Sequence, residues 1–338
     1  MDISLKPKEL SMLLKECVKN RMTVLIKGKP GVGKTSIVQQ VSDELGYECY
    51  ISHPSIQSPT VYMGLGVYDR ENQKAKFLPY DFLERLVHAD KPTVAFLDDF
   101  GQALPSVQAA IQNLLSSRQV GDHKVSDNVV FIIATNDRNQ GAYVNGVLST
   151  IKSRCGTILQ LDTDAEHWLN WAVKNGIRPE VTGFIRLRPE MLCQFEVSNE
   201  IVNFPCPRTV ENVSKILDME CNDFLKNVAI IGAVGEGFAT EFEGWLRLYK
   251  NMVSPDYIIA NPTTAEVPEG DALIAITSAL AYKANKENLG AIMTYGERLS
   301  PEYNVNMIEY YIMAKNPKLK ETGEYAKWVV KNQRHLGN

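Results

Sequence analysis

Residues 25–36 read Leu-Ile-Lys-Gly-Lys-Pro-Gly-Val-Gly-Lys-Thr-Ser, and from Gly28 to Thr35 they satisfy the spacing Gly-x-x-x-x-Gly-Lys-[Ser/Thr]. The chemistry open to such a run is capture of a phosphate chain. Gly28, Gly31 and Gly33 let the backbone turn sharply and aim successive N–H groups inward. The start of the following helix adds partial positive charge. Lys34 would neutralise the outer phosphates and the Thr35 hydroxyl would ligate Mg²⁺. Pro30, Val32 and Ser36 complete the candidate loop. Further along, Asp98-Asp99 ends an apolar run. Asp98 would hold Mg²⁺ and Asp99 would polarise an attacking water as general base; a strand-end pair capping the next turn is the plainer alternative. Asn136, in Thr135-Asn136-Asp137, could hydrogen-bond a γ-phosphate and the lytic water without adding charge, or could simply form a turn. Arg154 could reach a neighbouring subunit's γ-phosphate, with Lys152 a weaker candidate, and Arg208 could reach back to the phosphates from the C-terminal region. Taken one at a time, such arginines are equally at home on a solvated surface.

These groups need a frame. Five apolar runs rich in Val and Ile, at 23–26, 48–51, 93–97, 129–134 and 157–161, do not alternate with polar residues, as expected of parallel strands covered on both faces. Helical stripes lie between them: Leu10, Leu13, Leu14, Cys17 and Val18; Ile37, Val38, Val41 and Leu45; Phe82, Leu83, Leu86 and Val87; Val107, Ala110, Ile111, Leu114 and Leu115. Ser106, after Pro105, is placed to cap the last of these. Two insertions, 64–77 with a turn near Asn72 and 118–125 with a turn at Gly121-Asp122, fit hairpins as well as surface loops. After about residue 162 the alternation gives way to helices at 166–174, 209–221, 238–252 and 270–285 and after Pro301, with proline-bearing loops around Pro179, Pro189, 205–207 and 255–268. The expected organisation is an α/β nucleotide-binding core over 1–162, a helical linker over 163–206, and helices over 207–338.

Bulk properties narrow the function. The 338 residues are 44% hydrophobic and 22% charged, a globular balance. No apolar run is long enough to span a bilayer, and the first residues lack a signal-peptide core, so a cytoplasmic protein is expected. The net charge of −4 supplies no global field for nucleic acid, and no helix-turn-helix or zinc module is visible. The six cysteines, at 17, 49, 155, 193, 206 and 221, form no Cys-x-x-Cys pair and are expected as small buried residues.

Residues 28–36, Leu97-Asp98-Asp99, Ala134-Thr135-Asn136, Ser153-Arg154 and Pro207-Arg208-Thr209, in this order, resemble AAA+ ATPases. The likeness is nearest to the MoxR branch of bacteria and phages, often encoded beside von Willebrand A-domain or metallopeptidase-like proteins. Trp168-Leu169-Asn170-Trp171-Ala172, Gly176-Ile177-Arg178-Pro179-Glu180-Val181 and residues 184–190 strengthen it. The resemblance implies a P-loop, RecA-like parallel-sheet core with a C-terminal helical lid, ATP and Mg²⁺ as ligands, and a homo-oligomeric ring, usually a hexamer. It implies hydrolysis at subunit interfaces, with Arg154 acting in trans, coupled to remodelling or maturing a partner protein in a bacterial or phage-infected cell. The two insertions would then face the pore or the partner. The chain departs from the pattern in two places: Asp99 stands where the branch carries Glu, and Ser58, Val61 and Met63 stand where it carries charges. A shortened base leaves open a nucleotide-switched binding module with little turnover. A DNA-acting motor is a further alternative.

Overall fold

The computed structural model describes residues 3–136, 146–195 and 200–336, which divide into two units, one up to Thr163 and one from Asp164 onward. In the first unit, the five expected strands form one parallel sheet. In chain order its members are β1 (Ser4–Leu5), β2 (Val24–Gly28), β3 (Glu48–Ser52), β6 (Thr93–Leu97), β9 (Val129–Thr135) and β10 (Thr157–Leu161); the hairpin strands β4 (Leu65–Asp69), β5 (Lys74–Leu78), β7 (Gln119–Val120) and β8 (His123–Lys124) lie outside it. The spatial order is β1-β10-β2-β9-β6-β3. Every residue of β6 and β9 is buried, which is why these runs do not alternate. The edge strand β1 has only two residues, too few for a periodic signal.

This order decides where the chemistry goes. From β2 the chain crosses to the far edge at β3, returns through β6 and β9 to lie beside β2, then passes to β10 on the other side of β2. Such a reversal opens a crevice at the carboxyl ends of the strands. Ile26 pairs with Ala134, and Leu97 with Ile133, so Gly28, Asp98 and Asn136 leave the same edge of three adjacent strands.

The helices of this unit are α1 (Pro7–Lys19), α2 (Lys34–Leu45), α3 (Thr60–Met63), α4 (Asp81–Val87), α5 (Pro105–Ser117) and α6 (Ser149–Lys152). In α1, Leu10, Leu14, Cys17 and Val18 are buried, whereas Leu13, expected in the stripe, is exposed because it falls on the next face round. Ser106 is not the cap of α5: Leu104 occupies that position and Pro105 begins the helix, its missing N–H costing nothing there. Both hairpins form. Asp69 pairs with Lys74 across the first turn, and its side chain accepts from the Glu71 and Asn72 amides. The second is a two-residue turn with Gly121 at φ 55°. The hairpins touch: a Cβ on Gly121 would stand 3.1 Å from Phe77, and one on Gly64 3.1 Å from Val120.

The second unit is helical: α7 (Ala165–Lys174), α8 (Pro179–Leu187), α9 (Pro207–Leu217), α10 (Asp223–Val234), α11 (Glu236–Asn251), α12 (Pro255–Ala260), α13 (Asp271–Lys283), α14 (Leu289–Gly296) and α15 (Pro301–Val305), which runs on through a π-helical turn, Asn306–Ile312. Helices α7 and α8, in the stretch read as a linker, share one apolar core with α9–α11. Phe184 stacks edge-on against Phe238 at 5.0 Å and Phe242 at 5.2 Å. Gly183 admits Trp245, whose ring would lie 2.7 Å from any Cβ there. Arg178 bridges Glu180 and Asp218 and so ties α8 to the end of α9. The proline-bearing stretches expected as loops contain α8 and α12, because Pro179 and Pro255 occupy first-turn positions. Cys17 and Cys206 are buried; the other four cysteines are half-buried.

Candidate nucleotide site

The loop between β2 and α2 owes its path to its glycines. Gly31 and Gly33 take φ of 73° and 97°, which residues with a Cβ rarely adopt. Gly28 is required by space: a Cβ would stand 2.9 Å from the Leu161 carbonyl on β10. Around Gly33, by contrast, nothing lies within 4 Å of where a Cβ would project. The loop therefore presses on the sheet at one end and leaves room at the other, where α2 starts and its first amides point outward.

Lys34 is 7% exposed, and its ammonium donates to Gly28 O (2.9 Å), Lys29 O (2.9 Å) and Asn136 Oδ1 (2.8 Å). A buried ammonium needs such partners to offset lost hydration. Thr35 donates from Oγ1 to Asp98 Oδ2 at 2.6 Å. Asp98 is 6% exposed; its other oxygen accepts from the Asp99 amide at 2.9 Å, and its own amide donates to Ser52 O at 2.9 Å. Asp99 is half-buried in a left-handed conformation (φ 52°) and opens the 3-10 turn Phe100–Gln102.

Four of the expected residues, Lys34, Thr35, Asp98 and Asn136, are thus joined by hydrogen bonds across three strand ends, with Asp99 adjoining. The donor set suits a magnesium nucleotide: an ammonium and loop amides for the phosphates, a hydroxyl and a carboxylate for a hard cation. No group of three or more His, Cys, Asp or Glu side chains that could hold a metal occurs among the described residues. Asp137 lies outside the described residues. Arg154 is elsewhere in the unit, its guanidinium donating to Ser116 Oγ and to Thr150 O (2.6 Å). Arg208 is exposed in the first turn of α9, in the second unit. A cation there opposes the helix dipole.

Sequence reasoning missed the supports. Ser52, at the end of β3, bonds Gln57 Oε1 (2.8 Å) and the buried Tyr62 hydroxyl (2.7 Å), and burial pushes the Tyr62 phenol up to about 12. This cluster packs the stretch that carries Ser58, Val61 and Met63. The other missed residue is Gln108, buried on α5; a glutamine inside an apolar stripe was the available signal.

Fold and site together define a P-loop nucleoside-triphosphatase core. Residues 23–155 match the family described as the AAA domain of the dynein-related subfamily. That match includes the loop, Asp98, Asp99, Asn136 and Arg154, so this part of the chain is an ATPase domain of the AAA class; Arg208 lies outside it. No curated protein matches the chain. Among solved structures, the RuvB Holliday junction branch migration motor of Thermotoga maritima is 16% identical, covering 96% of this chain and 86% of its own, with a TM-score of 0.36. A proposed ATPase from Cytophaga hutchinsonii is 13% identical, covering 99% and 91%, with a TM-score of 0.38. Both are loose likenesses. No helix among the described residues is long and apolar enough to cross a membrane.

Proposed function

We propose that this protein is a Mg·ATP-dependent AAA+ ATPase of the MoxR-like branch that assembles into a ring, usually hexameric in that branch, and couples hydrolysis to remodelling or maturing a partner protein in the cytoplasm. The observation that carries the reading is the bonded set Lys34–Asn136 and Thr35–Asp98, which gathers phosphate and cation donors at one sheet edge. Lys34, with the backbone N–H groups of residues 31–36, holds the phosphates. Thr35 and Asp98 hold Mg²⁺, which when bound neutralises charge on the phosphate oxygens. Asp99 takes a proton from the attacking water, and Asn136 orients that water and senses the γ-phosphate. Arg154 is donated to the neighbouring subunit's site, and Arg208 links the helical unit to nucleotide state. The two hairpins meet the partner, a von Willebrand A-domain protein on the resemblance; exposed Leu65, Tyr68, Phe77 and Leu78 favour a protein contact there.

Calorimetry with ATP and Mg²⁺ on wild type and Lys34→Ala tests the first step: wild type binds and the variant does not. Normal affinity in Lys34→Ala removes the premise. Light scattering after size exclusion, with and without ATP, tests the ring. A second reading, a nucleotide-switched module with little turnover, is favoured by the short carboxylate of Asp99; phosphate release by Asp99→Glu separates the two.

A further inference from the structure

Gln108 is 1% exposed on α5, among the apolar positions Val107, Ala110, Ile111 and Leu114. A buried primary amide is costly unless its groups are bonded, and this one is bonded on both sides. Nε2 donates to Ala103 O (3.2 Å) and Gly146 O (2.8 Å), and Oε1 accepts from the Leu148 amide (3.0 Å). Ala103 closes the turn that Asp99 opens. Leu148 is the cap of α6, its carbonyl accepting from the Ile151 and Lys152 amides, and α6 leads directly to Arg154. At the other end of the same stretch, Arg154 is held by Ser116 on the last turn of α5. Gln108 and Ser116 are about 12 Å apart along the helix axis. Residues 146–154 are therefore strapped to α5 at both ends, and α5 begins at the turn bearing the general-base candidate.

We infer that Gln108 is a positioning residue: it sets the Arg154 segment in register with the Asp99 turn, so that the arginine offered to the neighbouring subunit is placed by the donor's own site. An apolar residue would fill the same space without joining the two backbones. The inference rests on the reading that Arg154 acts in trans.

Gln108→Met keeps chain length and volume and removes the amide. In the full-length protein it should leave ATP affinity unaltered and lower kcat about tenfold to a hundredfold, the scale of an ångström-sized misplacement. The decisive measurement is subunit mixing. Lys34→Ala subunits cannot turn over but carry intact Gln108 and Arg154. Added to Gln108→Met at fixed concentration, they should raise phosphate release per Gln108→Met subunit severalfold, because its sites then receive well-placed arginines. Ser116→Ala should be rescued in the same way. Arg154→Ala mixed with Lys34→Ala is the control for the trans reading. If the control rises and Gln108→Met stays flat, the role of Gln108 is overturned while the trans reading stands. If the control is flat, the trans reading falls and takes this inference with it. Weakened ATP binding or an undiminished kcat in Gln108→Met also overturns it. Should Gln108→Met fold poorly, Gln108→Asn, one methylene short of Gly146 and Leu148, takes its place in the mixing.

Discussion

Replacing Asp99 by glutamate adds one carbon–carbon bond, about 1.5 Å of reach at most, to the carboxylate beside Asp98. An error of about 1 Å in a reacting group can cost on the order of a hundredfold in rate. If reach limits this ATPase, Asp99→Glu should raise turnover about tenfold to a hundredfold, equivalent to about 1.4–2.7 kcal/mol of barrier. The backbone sets an opposing term. Residue 99 sits at φ 52° and ψ 31°, a region that Asp tolerates through local hydrogen bonding and that costs most other residues about 1–2 kcal/mol. The variant should therefore be faster and less stable at once, its midpoint falling by about 2–4 °C per kcal/mol in a unit of this size. Phosphate release under saturating Mg·ATP and a thermal melt read the two effects separately. Turnover equal to wild type with unaltered ATP affinity would refute the reach argument and, with it, the main support for a slow nucleotide switch.

Other outcomes follow from single contacts. Gly28→Ala forces a Cβ to within 2.9 Å of the Leu161 carbonyl; the chain should lose about 1–3 kcal/mol of stability by chemical denaturation, and an unchanged midpoint would mean the loop relaxes freely away from β10. Arg186 lies over the Tyr311 ring at 3.2 Å and donates to Ser278 at 2.6 Å, yet its Nε has no partner and no carboxylate pairs with it among the described residues. Burial lowers its pKa to about 10, so folding disfavours the charged form at neutral pH and that penalty eases only as pH rises past about 10. Arg186→Met should accordingly melt no lower than wild type, and a fall of more than about 4 °C would show that the stacked guanidinium stabilises the unit. Burial raises the Cys155 thiol to about 11, leaving about one thiolate in a thousand at pH 8. Mass spectrometry after brief iodoacetamide treatment of the folded protein should find Cys155 little modified, and rapid labelling would contradict the raised thiol.

What could be read along the chain was what neighbouring residues decide. The loop from Gly28 to Ser36 and the five strands of the sheet depend on local sterics, glycine at positive φ and unalternating Val and Ile, whereas the stretches at 64–77 and 118–125 read equally well as hairpins or surface loops. Prolines misled for an equally local reason. The residue that interrupts a helix is also the residue best suited to begin one, and Pro105, Pro179, Pro207, Pro255 and Pro301 all stand in first turns. Only a packed interior shows which use applies.

The site itself belongs to the tertiary structure. Thr35 and Asp98 are 63 positions apart, and Lys34 and Asn136 are 102 apart; they meet because parallel strands must cross over and return before neighbouring ends can align. The residue types named the chemistry in advance, since few side chains can cradle phosphate or hold a hard cation. Which carboxylate oxygen the threonine reaches, and that a buried glutamine fastens Arg154's segment to α5, were settled by crossovers and close packing, because those contacts join atoms that no periodicity along the chain brings together.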